Sequence, residues 1–169
     1  MLDIRLLIDK LKLSFQKRTQ IVQTKKGYAT WLAKGYVKEP LVSIVLQSHN
    51  KSLQIKHILP KLRAWGGGSL EIIIIDDGSD ISHTQALAEA LTGANEFLVR
   101  ANDLYENVTY DKAIRFANGR YIALLQDDDD FDDTTWIDNA VRYMDMYPQL
   151  AILGGKDGLD IAFEHDKQI

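Results

Sequence analysis

The sequence predicts an α/β fold, a mostly parallel sheet flanked by helices, and two observations carry that reading. Short apolar runs alternate along the chain with longer stretches of helical character, the pattern of parallel strands joined by crossover helices. Two of the runs, Val42-Ser43-Ile44-Val45-Leu46 and Ile72-Ile73-Ile74-Ile75, are nearly continuous, as strands covered on both faces must be.

The elements follow in order. Glu39-Pro40 forms an extended junction, because a residue before proline avoids helical dihedrals, so the compact domain starts near Leu41. A strand is expected over 42–46, then a helix over 52–64 that Asn50 or Ser52 can cap. The triplet Gly66-Gly67-Gly68 precedes a strand and reads as a flexible turn into it. That second strand covers 71–75, followed by a helix over 84–91, a strand over 96–100 and a helix over 108–117. A buried strand over 121–125, a helix over 134–146 and a short final strand over 151–153 complete the alternation. Trp31, Trp65 and Trp136 are expected in packing roles.

Residues 1–40 differ from the rest. They hold nine Lys/Arg against three Asp/Glu, while the whole chain has a formal charge of −4, so the remainder is strongly acidic. Leu2, Leu6, Ile8, Leu11, Leu13 and Phe15 are spaced unevenly among basic residues, which predicts a partly amphipathic N-terminal helical extension over 1–40. Its basic face suits either peripheral contact with an anionic membrane or an acidic partner, or simple solvation while the helix packs on the domain at 41–169. With 169 residues and 46% hydrophobic content, one proper core is expected. The absence of cysteine excludes a disulfide framework and a thiolate zinc site. No apolar run approaches the roughly 20 residues that span a bilayer. A cytoplasmic protein is expected, with any membrane association peripheral and no nucleic-acid partner.

Ligands of open parallel sheets sit beyond the carboxyl ends of the strands, where loops and helix N-termini converge. Here those ends are polar: Gln47-Ser48-His49-Asn50, Asp76-Asp77-Gly78-Ser79-Asp80, and Gln126 with Asp127-Asp128-Asp129-Asp130. A cap, a turn and a solvated charge run would explain each alone. Four carboxylates at one strand end nevertheless repel each other unless a hard cation sits among them. An EF-hand does not fit, because its sixth and twelfth positions, counted from Asp128, are Asp133 and Asn139 rather than Gly and Glu. Mn²⁺ or Mg²⁺ fits better, since those ions keep coordination positions open for phosphate oxygens. A Walker-type phosphate loop is missing, and a receiver domain would place its acidic pair after the first strand.

These residues resemble glycosyltransferase family 2, nucleotide-sugar-dependent enzymes of the GT-A (Rossmann-like) fold. The Ser48-His49-Asn50 ending is similar to the family's first strand end. Asp76-Asp77-Gly78-Ser79 resembles its second-strand turn, and Gly119-Arg120-Tyr121-Ile122 through Asp129 resembles the strand leading to its metal-binding Asp-x-Asp. The resemblance covers about 41–155 and implies that Gln47, Ser48, His49 and Asn50 lie against base and ribose. It implies that Asp77 accepts from the uracil N–H, that Asp127 faces the nucleotide, and that Asp128 binds Mn²⁺ or Mg²⁺ on the diphosphate.

Gln126 stands where the family has its first Asp, so Asp128-Asp129-Asp130 is the alternative register, which makes Asp130 the second metal candidate. Tyr110-Asp111 replaces the family's Arg-Asn, leaving Lys112 or Arg100 as substitutes toward the diphosphate. Inverting transfer needs a base to deprotonate the acceptor hydroxyl. Asp157 is the nearest candidate among Asp157, Asp160, Glu164, His165 and Asp166. The expectation is therefore an inverting, metal-dependent transferase using a UDP-sugar and a carbohydrate or glycoconjugate acceptor, either C-terminally truncated or compact. The alternatives are a non-catalytic nucleotide-sugar-binding module and a nucleotidyltransferase.

Overall fold

The computed structural model describes residues 30 and 32–154. The helix expected in the basic N-terminal stretch, Trp31 and the tail with Asp157 lie outside the described residues. Eight elements follow in chain order: β1 Val42–Ser48, α1 Ser52–Arg63, β2 Leu70–Asp77, α2 Ile81–Ala90, β3 Glu96–Ala101, α3 Glu106–Ile114, β4 Tyr121–Leu125 and α4 Thr135–Met146. The four strands form one parallel sheet in the order β3-β2-β1-β4. The described residues divide into two compact units, one of those up to 56 with 68–129 and one of 57–67 with those from 130 on.

The first unit holds the sheet. Side chains alternate across it, so Val45, Ile73 and Ile75 face α3 and pack with Ala113, while Phe97, Val99 and Tyr110 extend that cluster. On the opposite face Ile44, Leu46, Ile72 and Ile74 are also fully buried. Each such side chain contributes about 1.5–3 kcal/mol on leaving water, which is why the isoleucine run forms the centre of the sheet. The helix expected over 84–91 starts three residues earlier, because the Asp80 carbonyl accepts the first helical bonds from His83 and Thr84.

The strand over 121–125 forms as expected but is not a buried one. It lies at the sheet edge, and Ile122 and Leu124, on one side of it, are 39% and 45% exposed. Strand position depends on topology, which its apolar composition does not encode. The chain also joins the unit before Leu41: the Asn95 side chain donates to the Val37 carbonyl at 2.7 Å and accepts from the Val37 N–H at 2.8 Å.

The amino-terminal end of the sheet is closed by a buried carboxylate. Glu71 is 1% exposed and accepts from Ser43 Oγ at 2.5 Å, from the Asn118 N–H at 2.8 Å and from Asn118 Nδ2 at 2.9 Å. Ser43 Oγ in turn accepts from the Gly119 N–H at 2.8 Å. A Cβ on Gly119 would stand 2.5 Å from the Ser43 nitrogen, so only glycine lets β4 enter beside β1 here.

In the second unit Trp65 is a packing residue, 7% exposed, with its indole N–H donating to Asp138 at 2.9 Å. Phe131 meets Trp136 edge to face, with centroids 5.6 Å apart. The final strand expected over 151–153 does not form. Ile152 is 83% exposed, and without a neighbouring strand a three-residue apolar stretch has no ladder to join.

Candidate active site

β2 runs two residues further than its apolar stretch, because Ser48 pairs with Asp76 and Ala101 with Asp77 along the parallel ladders. The two adjacent aspartates therefore point to opposite faces of the sheet. Asp76, fully buried, accepts from the Ser79 N–H at 3.2 Å and from Thr84 Oγ1 at 2.5 Å, and is ion-paired with Arg100 at 3.1 Å. Arg100 also donates to the Ser79 carbonyl at 2.8 Å and to Thr84 Oγ1. This arginine, weighed above as a diphosphate contact, is committed to holding the turn.

Asp77 faces the other way and meets the loop after β3. Its Oδ1 accepts from the Leu104 N–H and its Oδ2 from the Tyr105 N–H, both at 2.8 Å, and the residue is 4% exposed. Gly78 follows at φ +80°, a conformation that favours glycine and lets the chain turn away from the strand. The sequence marked Asp77 as an acceptor but gave no sign of these two donors.

The β1 end is stitched to the β2 turn. Ser79 Oγ receives the Asn50 N–H at 2.8 Å, and Asn50 Oδ1 receives the Asp80 N–H at 2.8 Å, with Asn50 at φ +58°. His49 Nδ1 lies 2.7 Å from the Asp77 carbonyl, and the His49 N–H donates to Asp127 Oδ2 at 2.8 Å. That bond to the Asp77 carbonyl, with the charges of Asp103, Asp77 and Asp127, raises the His49 pKa against a smaller opposing effect of burial. Gln47 is half-buried, and Ser48 is buried with no partner for its hydroxyl among the described residues. Three strand ends thus come together as the sequence implied.

The acidic run is less uniform than its sequence. Asp127 is taken by His49, and Asp129 accepts from the Gln126 N–H at 2.7 Å. Asp128 is exposed and makes no hydrogen bond or ion pair among the described residues. Asp130 falls in the second unit, 2.7 Å from Lys61 Nζ and 3.7 Å from His57 Nε2. The Lys61 bond and the Phe131 N–H hold its carboxyl below the usual range. Tyr110, which sequence reasoning saw only as a departure from Arg-Asn, donates to the Leu125 carbonyl at 2.9 Å beneath this run. Burial first, then Glu106 and the aspartates, push its phenol up to about 12. Lys112 is an exposed side chain 4.0 Å from Asp111.

No group of three His, Asp or Glu side chains among the described residues is placed to hold a metal ion by itself. The unpartnered Asp128 fits a cation of the Mg²⁺ or Mn²⁺ kind, which binds through one or two carboxylates and completes its shell with water and phosphate. No described helix is long and apolar enough to cross a membrane.

A parallel α/β sheet with polar loops gathered at its carboxyl edge is the arrangement in which open α/β folds place their ligands. The chain belongs to glycosyl transferase family 2, whose family model matches residues 43–166. No curated protein sequence matches it. Among solved structures it is similar to the mannosyltransferase PcManGT from Pyrobaculum calidifontis, determined in complex with GDP-Man and Mn²⁺. That similarity has a TM-score of 0.57 at 16% identity and covers 79% of this chain. The fold is GT-A-like, and the chain spans 42% of the length of that relative.

Proposed function

We propose that this chain binds the donor of an inverting glycosyltransferase, a UDP-sugar held with Mn²⁺ or Mg²⁺, for transfer to a polysaccharide or glycoconjugate acceptor. The observation that carries the reading is the meeting of three polar strand ends at one sheet edge, with Asp128 the exposed, unpartnered carboxylate there. Asp128 would hold the cation; a divalent ion there offsets the charge that develops on a departing diphosphate. Asp130, already balanced by Lys61, is the lesser ligand.

Gln47, Ser48, His49 and Asn50 would line base and ribose, Asp127 would fix the His49 backbone toward the nucleotide, and Asp77 would read the base. A carboxylate accepts only, so it selects bases offering a ring N–H, as uracil does, against cytosine and adenine. A GDP-sugar is the second reading. Guanine offers two adjacent donors, matching the two oxygens of Asp77 that each accept one N–H, and the similar mannosyltransferase was solved with GDP-Man. Asp157 remains the proposed base.

The test is a panel of UDP- and GDP-sugars with Mn²⁺ and oligosaccharide acceptors, read as nucleoside diphosphate release. Release that needs both metal and acceptor supports the transferase. Nucleotide binding without turnover would leave a donor-binding module instead.

A further inference from the structure

We propose that the 102–105 loop is a latch on Asp77 that the nucleobase opens, so that donor binding and loop release are one event. The proposal rests on the donor-site reading above. A carboxylate meant to read a base is here 4% exposed, with one backbone N–H on each oxygen at 2.8 Å. Each oxygen keeps a second lone pair, but at 4% exposure behind Leu104 and Tyr105 the carboxylate offers a base no open approach.

The loop is held in a form that Tyr105 disfavours. Asp103 stands at φ +54°, which aspartate tolerates, but Tyr105 stands at φ +64°, ψ 161°, a region that is essentially glycine's. Its apolar side chains lie partly or largely at the surface, Leu104 42% and Tyr105 79% exposed. The two bonds to Asp77 tie this segment to the sheet, with the Thr109 N–H on the Tyr105 carbonyl holding its far end to α3, and exposed strained segments belong to the low-stability end of a protein. A base that supplies N–H donors to Asp77 replaces those bonds and frees the loop to relax. Two consecutive peptide N–H groups, one per oxygen, also imitate the paired donors of guanine more closely than the single donor of uracil.

Amide hydrogen exchange on the full chain with Mn²⁺, alone and with saturating UDP or GDP, tests the latch. The expected result is that exchange at Leu104 and Tyr105 speeds up about tenfold or more when nucleotide binds, while the amides of β2 keep their protection. Nucleotide binding with unchanged or slowed exchange at those amides overturns the latch but leaves the donor site standing. Binding of neither nucleotide overturns both. As a second arm, Leu104→Pro removes one latch donor and disfavours the conformation of Asp103. If closure competes with the base, this variant binds nucleotide about threefold or more tightly, because the binding-competent fraction rises. Weaker binding by a folded Leu104→Pro would mean that the loop positions Asp77 rather than blocking it.

Discussion

Two carboxylates at the carboxyl end of the sheet, Asp128 and Asp77, are treated unlike Glu71 at the other end, whereas Asp76 is buried and paired as Glu71 is. At the amino-terminal end Glu71 is buried and receives three hydrogen bonds from Ser43 and Asn118. At the carboxyl end Asp128 is exposed and receives none, and Asp77 is satisfied only by a strained loop. A buried acid whose partners are all permanent parts of the fold has done its work once the chain is folded. An acid left without partners, or with partners that are costly to hold, has capacity for a ligand. The contrast sets Glu71, whose partners are all within the fold, against Asp128, the carboxylate proposed to hold a cation.

Breaking the closed end should show in stability alone. Glu71→Ala strands the Ser43 hydroxyl and the Asn118 donors in the interior and should cost about 3 kcal/mol by urea denaturation, with nucleotide affinity measured well below the transition unchanged. A loss of affinity with little loss of stability would erase the distinction between the two ends. Tyr110, beneath the acidic run, should be a smaller case. Tyr110→Phe removes the bond to the Leu125 carbonyl and should cost about 1 kcal/mol. Because the folded phenol titrates near 12 rather than 10, its contribution is complete below pH 10 and disappears as pH rises through 12. A variant whose stability falls in parallel with wild type across that alkaline range would contradict this.

The smallest effect sharpens the open end. His49 has its pKa raised in the folded protein, so its stabilising contribution is full below 6.5 and is lost as pH rises through the higher folded midpoint. An NMR titration should place the His49 midpoint above 6.5. A midpoint at or below that value would mean that the bond to the Asp77 carbonyl does not persist in solution.

Much of this was legible in the sequence, for identifiable reasons. The apolar runs of β1 and β2 and the order of all eight elements follow from periodicity, and the three polar strand ends follow from where those runs stop. Asp76 and Asp77 read as a turn. Counting alternation from Ile72 would have put them on opposite faces, but only if the strand were known to run that far. Glu71, a charge opening an isoleucine run, was a signal that could have been read as a buried acid needing donors. The edge position of β4 and the missing strand at 151–153 depend on which neighbours exist, a property of topology. The positive φ of Tyr105 was beyond reach, because tyrosine does not announce it, whereas aspartate, as at Asp103, is a type that tolerates that region.

The central claim is that Asp128 serves a cation and nucleotide while its neighbours are occupied within the fold. Calorimetric titration of UDP, and of GDP, into the wild type and Asp128→Ala with and without Mn²⁺ tests it most directly. The account expects metal-dependent binding by the wild type and a loss of about a hundredfold or more in the variant, whose stability, as for other exposed positions, should change by less than about 0.5 kcal/mol. Equal manganese-dependent affinity in the two proteins would contradict it.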